Sequence, residues 1–428
     1  MSDEARTGPD RREAALRREL WRTRNSASFR LGNHLIEAAR KPWRILALPI
    51  TLPLVTWQIG MELLGRRPRP MSDSMIQLTG GPEQSIVLFP TNGVGFGHFT
   101  RMYGLARRLR RLDPDLEIIF FTTQPTLHLP YLDGFPTYHL AGPKKFKGMD
   151  SDAWNSMVQE MLTLVLETHR PQTFVFDGAF PYRGMLNALD TIAIPQKVWL
   201  RRGMFRKGTS IPMDSIGKFD LIVHPEDAIS NPTDDINHGV QVKMVPPMTL
   251  IDSDEMWGRE DARRRLGVPQ DVQVAYVQLG AGRINEIDSD VRQVVDSLLS
   301  HNVHVVLGES LLGDRLKINL ERVHLIRDYP NALFFNAFDM SVQAGGYNSF
   351  HEMRSLGIPT LFLPNMNTGM DDQYSRCIVA EKEGWGLLHD SKKDIKESIM
   401  KLINHKPSIV ESRFNGSEVL SRYLVGVD

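Results

Sequence analysis

Residues 340–377 read "MSVQAGGYNSFHEMRSLGIPTLFLPNMNTGMDDQYSRC", and the alternation inside this stretch decides the fold. An apolar run ends at Gly345 and Gly346, and a helical pattern follows through "YNSFHEMRSLG". A second apolar run, "PTLFLP", then leads to another helical pattern from Gln373. Strand, glycine turn, helix and strand in that order imply a parallel sheet covered by helices. The two glycines allow another molecule close to the backbone. Asn348 and Ser349 bring polar groups to a helix N-terminus, where phosphate is favoured. Glu352 stands one turn beyond Ser349 on the same face, where a carboxylate suits paired ribose hydroxyls. Asp371, Asp372 and Gln373 close the next loop with side chains suited to sugar hydroxyls.

The same alternation extends outward in both directions. "SIVLFP", "LEIIFFTT", "TFVFDG", "QKVWLR" and "LIVHP" read as buried strands of a first series. "VQVAYVQLG", "VHVVLGE" and "VHLIRDY" precede the opening stretch in a second. "VKMVPPMTLIDSDEM" between them has two prolines and no helical period, so it reads as a linker. The fold class is therefore α/β, with two Rossmann-like domains over residues 81–248 and 249–405. Residues 406–428 form a last segment that would cross back to the first domain, and residues 1–80 form an extension.

A second glycine loop, "TNGVGFGHFTRMYGLARRL" (91–109), follows the first strand. Gly93, Gly95 and Gly97 alternate, which is not the spacing of a dinucleotide fold. The second strand ends in Thr122, Thr123 and Gln124 rather than the acid that holds a ribose. A Walker loop would need Lys after the last glycine, and His98 stands there instead. His98 opens the helix, either as a general base with a pKa suited to the task or as a simple cap. Asp177 ends the strand "TFVFD", either orienting that histidine or capping the next helix. Arg201, Arg202, Arg206 and Lys207 follow another strand of this half, as an acceptor-side cluster or as solvated surface charge.

Lys and Arg equal Asp and Glu at 51 each, so no global field argues for nucleic acid. Residues 1–70 nevertheless hold 14 basic against 7 acidic side chains, which suggests an acidic surface as partner. Ile45 to Met61 is uncharged, interrupted by Pro49 and Pro53 and flanked by Trp43, Trp57 and arginines. This pattern favours a helix or hairpin in a membrane surface, through residues 40–70, over a span; an apolar arm on the protein body is the other reading. No early apolar core marks a secretory signal, which places the chain in the cytoplasm, at the inner face of the membrane. Cys377 is the lone cysteine, so a disulfide within the chain and a Cys-based zinc site are excluded; the residue reads as a buried thiol.

Gly346, Ser349, Glu352, Gly357-Ile358-Pro359 and Asp372-Gln373 together resemble the donor signature of GT-B glycosyltransferases, both the UDP-glycosyltransferases and the family 28 enzymes. The loop at 91–109 resembles their acceptor-side glycine loop, and "VQLGAGRINEI" (277–287) resembles their phosphate loop. The resemblance covers residues 83–405. It implies transfer of a sugar from a nucleotide donor, UDP foremost, to an acceptor hydroxyl with inversion. It implies no cofactor and no metal. His98 would be the acceptor base and Asp177 its partner. Gly95, Gly97, Arg201 and Arg202 would face the acceptor, for which a lipid-linked phosphate would suit the basic cluster. Gly280, Gly282, Arg283, Gly345, Gly346, Asn348, Ser349, Glu352, Asp372 and Gln373 would hold the donor, with base and ribose near Arg327–Phe338. Ala344 departs from the histidine often found at its place in the UDP-glycosyltransferases. That departure keeps a degenerate nucleotide- or glycan-binding scaffold open as an alternative, and a UDP-sugar 2-epimerase, which shares the two-domain fold, is another.

Overall fold

A computed structural model describes residues 23–64, 84–91, 95–201, 213–229, 239–280, 287–309, 311, 318–366, 371–408 and 415–427. The chain divides into two units, Met1–Gly81 and Pro82–Asp428.

The second unit is built on two parallel sheets. The first comprises β1 (Ser85–Pro90), β2 (Glu117–Thr122), β3 (Thr137–His139), β4 (Thr173–Asp177), β5 (Gln196–Leu200), β6 (Leu221–Pro225) and β7 (Gln241–Val245). The second comprises β8 (Val274–Gln278), β9 (His304–Gly308), β10 (Val323–Ile326), β11 (Met340–Gln343), β12 (Thr360–Phe362) and β13 (Gly386–Leu388). Their orders are 3-2-1-4-5-6-7 and 10-9-8-11-12-13. In each sheet the strand order reverses beside its first strand, and functional groups collect outside the strand ends at such a point. The apolar runs that marked the strands are buried along β1, β4 and β6, as expected for sheets covered on both faces.

One boundary differs from the sequence reading. The segment taken for a linker begins inside β7, which pairs with β6 as the edge of the first sheet. Its residues are half-exposed and partly polar, so it lacks the apolar run that reveals a central strand. The remainder, through Pro246 and Pro247, is tied to the C-terminal helix Gly416–Val425. Asn415 Nδ2 donates to Thr249 O and to Asp252 Oδ1, at 3.1 and 2.8 Å. A Cβ on Gly416 would lie 1.9 Å from Pro246 O, so only glycine fits. That helix packs on Gly97–Leu112, the helix that follows the first glycine loop.

The first unit holds the helices Ala27–Arg40 and Pro42–Leu63, which pack on each other and are joined at Lys41. Arg30 pairs with Glu62, Arg44 with Glu37, and His34 Nε2 meets Thr51 Oγ1 at 2.9 Å. The expected proline interruption does not occur, since the second helix runs through Pro49 and Pro53. Within it the Thr51 and Thr56 hydroxyls donate to the carbonyls of Ala47 and Leu52. Trp43–Glu62 is long and apolar enough to cross a membrane by length and composition. Trp43, Leu46, Ile50, Leu54 and Trp57 are exposed along it.

Candidate functional site

The site is assembled from the C-terminal edges of the two sheets. β1 leads into the glycine loop, whose residues 92–94, including Gly93, lie outside the described residues. The helix begins at Gly97, and a Cβ on Gly95 or Gly97 would meet nothing closer than 3.9 Å. Packing therefore does not demand glycine at these positions, and the space beside them is open. Asp177 closes β4 in register with Pro90 of β1. Gly178 must be glycine there, because a Cβ would strike the Phe176 ring at 2.5 Å and Thr91 at 2.6 Å.

This packing brings His98 and Asp177 together, with His98 Nδ1 2.7 Å from Asp177 Oδ1. Arg101, one turn beyond His98, closes the cluster. Its Nε donates to Asp177 Oδ2 at 3.0 Å and a terminal nitrogen donates to Oδ1 at 2.8 Å. Burial opposes charge on Asp177, but Arg101 and then His98 outweigh it and hold the carboxyl below its usual range. With its proton on Nδ1 the imidazole donates to the ionised carboxylate and Nε2 carries the lone pair, the tautomer a base needs. With its proton on Nε2, Nδ1 would instead accept from Arg101 at 2.9 Å. Sequence reading missed Arg101, although its three-residue spacing from His98 on a helix was a usable signal.

On the second sheet, β11 ends at Gln343 and the turn passes through Gly345 at φ +80°. A Cβ on Gly345 would lie 2.4 Å from Cys377 Sγ. Cys377 is fully buried and its thiol is pushed up to about 12 by desolvation, which makes it a packing element as expected. The helix Tyr347–Leu356 starts from Gly346 without a side-chain cap. It carries Asn348, Ser349 and Glu352 on its first turns. Desolvation pushes the Glu352 carboxyl up to about 8. No ion pair or hydrogen bond reaches it among the described residues, and the phenols of Tyr276 and Tyr329 feel its charge. Both amide atoms of Gln343 and Asn348 Oδ1 are buried without a partner among the described residues.

The two edges meet through named contacts. Asn348 Nδ2 donates to Gly97 O at 3.4 Å. The Tyr329 hydroxyl lies 2.9 Å from Thr100 Oγ1, and its ring stacks on Phe96 at 5.2 Å. Tyr347 donates to Glu226 O at 3.0 Å. Arg376, fully buried, binds Asp227 through two nitrogens at 2.8 and 2.7 Å and Asp371 at 2.8 Å. Burial opposes charge on Asp227, but Arg376 and His351 hold its carboxyl far below the usual range. None of Tyr329, Asp227 or Arg376 was singled out in the sequence. Asp227 has only its place after "LIVHP" to mark it.

Other expected site residues have local work. Asp372 accepts from Ser375 N at 3.1 Å and Ser375 Oγ at 2.8 Å, so it caps the helix Gln373–Glu383. Gln373 is buried, accepts from Asn365 N and donates to Asp371. In the free protein both side chains thus also hold the local backbone. Arg201 is buried with its guanidinium over the Trp199 ring, which overturns the solvated-surface reading for this residue. Gly280 is exposed at φ +105°. Gly282, Arg283, Arg202, Arg206 and Lys207 lie outside the described residues. Among the described residues no three His, Cys, Asp or Glu side chains gather as a metal site.

No family model matches the chain. The chain is 21% identical over 375 residues to a UDP-N-acetylglucosamine–N-acetylmuramyl-(pentapeptide) pyrophosphoryl-undecaprenol N-acetylglucosamine transferase of Clostridioides difficile (strain 630). That match covers 78% of the chain and 85% of the relative. Among solved structures, the glycotransferase of kitacinnamycin superposes with a TM-score of 0.56 at 14% identity. The match spans 80% of this chain and 98% of that one. The UDP-GlcNAc 2-epimerase of Methanocaldococcus jannaschii superposes at 0.51 and 13%, spanning 80% and 100%. The fold is GT-B, as the sequence resemblance implied. Since a transferase and an epimerase share it, the fold alone does not select the reaction.

Proposed function

We propose that this GT-B protein is a glycosyltransferase, specifically a hexosyltransferase, that moves a sugar from a UDP donor to an acceptor hydroxyl with inversion. The observation that carries the reading is the His98–Asp177 pair, in which His98 stands on a helix whose first carbonyl is bonded to Asn348 of the facing half. The donor diphosphate would lie at the uncapped N-terminus of Tyr347–Leu356, whose amides favour anionic oxygens. Glu352, without a side-chain partner among the described residues, would meet the ribose hydroxyls. The acceptor O–H gives its proton to His98 Nε2 as the oxygen bonds to the anomeric carbon. The bond from that carbon to the diphosphate breaks, and its electron pair leaves with the phosphate. Backbone amides at the helix start stabilise the charge that builds there. No metal enters this step, so a chelator should leave turnover intact.

The epimerase alternative needs two carboxylates free to exchange protons. Asp177 and Asp227 are each held by an arginine, leaving Glu352 without a pair among the described residues of the site. This favours transfer. The Clostridioides relative is named for a pyrophosphoryl-undecaprenol acceptor, and an acceptor of that class, a polyprenyl diphosphate sugar, is our proposal here. The exposed apolar helix Pro42–Leu63 and the basic turn at Arg40, Lys41 and Arg44 would place the enzyme on an anionic membrane face. Flotation with vesicles containing anionic lipid should carry the protein upward, and zwitterionic vesicles should carry less.

The decisive test is transfer from UDP-sugars to a polyprenyl diphosphate acceptor. His98→Ala should lower turnover by at least about a hundredfold, the scale for losing a general base, with donor binding unchanged by calorimetry. Unchanged turnover in that variant would remove His98 from the mechanism.

A further inference from the structure

We propose that Arg101 is a positioning residue that locks Asp177 against His98 and keeps the His98 imidazole neutral at physiological pH. The proposal rests on the reading of His98 as base. A histidine held by a buried carboxylate alone is drawn toward imidazolium, because the anion stabilises the ring's positive charge. A base already protonated cannot accept the acceptor's proton. Here the carboxylate carries its own cation. Arg101 is 2% exposed and engages both oxygens of Asp177, and one of its terminal nitrogens lies 2.9 Å from His98 Nδ1. With Nδ1 protonated toward Asp177, that approach sets a positive group beside a donor. A second positive charge on the ring is therefore disfavoured. The base is weaker for it, but unprotonated.

Arg101 is itself held from the facing half. Its guanidinium lies over the Tyr347 ring at 5.6 Å, and Arg376 lies near the same ring at 5.9 Å. Tyr347 begins the helix that carries Asn348 and Glu352. Among the described residues, the charged and titratable groups facing the cluster include Asp177 from the end of β4, His98 and Arg101 from the helix Gly97–Leu112, and Tyr347 with Arg376 behind it from the second half. The state of the base is thereby tied to the residue that opens the donor turn.

The test follows the His98 ring by NMR titration in the ligand-free protein, its resonance assigned by loss in His98→Gln. Arg101→Met should raise the midpoint by about one unit or more, and the acid limb of the kcat profile should rise with it. Turnover at pH 7 should fall by about threefold, the loss of neutral imidazole that a one-unit rise causes, while the donor KM moves by less than about twofold. Arg101→Lys keeps a charge and should hold the midpoint near the wild-type value. An unchanged midpoint in Arg101→Met overturns the proposal, as does Arg101→Lys shifting as far as Met does. If the Met variant does not fold, the wild-type midpoint decides: a value well above the ordinary 6.5 or so defeats the idea. Because this titration needs no substrate, its outcome is independent of whether His98→Ala abolishes transfer.

Discussion

At the C-terminal edge of the first sheet, each buried carboxylate has a guanidinium against it. Asp177 takes Arg101 and Asp227 takes Arg376, all four side chains at most 3% exposed. At the corresponding edge of the second sheet, Glu352 has no such partner among the described residues, and desolvation pushes its carboxyl up to about 8. Gln343 nearby leaves both amide atoms unbonded among the described residues. Buried polar groups are normally satisfied, and an unsatisfied one costs about 1–3 kcal/mol. The buried carboxylates of the first edge are thus paired in the free protein, as suits a base that would be aimed before an acceptor arrives, although Gln124 beyond β2 also leaves both amide atoms unbonded among the described residues. On the second edge Glu352 lacks such a partner among the described residues, and under the proposed function a bound donor would supply one.

The largest expected effect breaks the paired edge. Asp227→Ala leaves Arg376 with Asp371 and the Gly345 carbonyl but without its bidentate partner. Removing one member of a buried pair costs about 3–5 kcal/mol, and the remaining contacts place this loss at the lower end. Chemical denaturation should show it as a lower midpoint with an unchanged slope. A loss under about 1 kcal/mol would mean the Asp227–Arg376 pair is worth no more than a surface ion pair.

Glu352 sharpens the same contrast from the other side. Glu352→Ala should weaken donor binding by about tenfold, the scale of one hydrogen bond to a charged or polar partner, with little loss of stability. Folding raises the Glu352 pKa from the ordinary 4.3 or so to about 8. Between those values the unfolded state holds fewer protons than the folded one, so stability falls as pH rises through that window. The full cost is present above pH 8. Glu352→Gln removes the titration, and its Tm advantage over the parent should be absent at pH 4 and greatest near pH 9. Equal advantages at both pH values would show that the carboxyl is not desolvated.

What the sequence disclosed divides along the same line. The strands announced themselves because buried parallel strands are continuous apolar runs, and the glycine turns because few residues tolerate their geometry. His98, Asp177 and Glu352 were legible because they sit at strand or helix ends beside those turns. The arginines that neutralise the first edge were not. Arg101 and Arg376 lie inside helical patterns, where charged residues ordinarily read as solvent-facing, and their partners are 76 and 149 residues away. Asp372 and Gln373 show the converse: their polarity suggested a ligand, and in the free protein the same side chains also start a helix and fix a loop.

Asn348 gives the smallest effect and the finest test, because it stands on the second edge yet touches the first. Its bond to the Gly97 carbonyl is long, at 3.4 Å, and its own carbonyl oxygen is buried without a partner among the described residues. Asn348→Ala loses one weak bond and removes one unsatisfied acceptor, two terms of opposite sign and each about 1 kcal/mol. Stability should therefore change by less than about 0.5 kcal/mol. Donor affinity should weaken by about two- to threefold as the amide is lost from the helix start. A destabilisation as large as that of Asp227→Ala would place Asn348 in the framework of the first edge. A donor affinity that stays constant would leave the diphosphate to the backbone amides and Ser349.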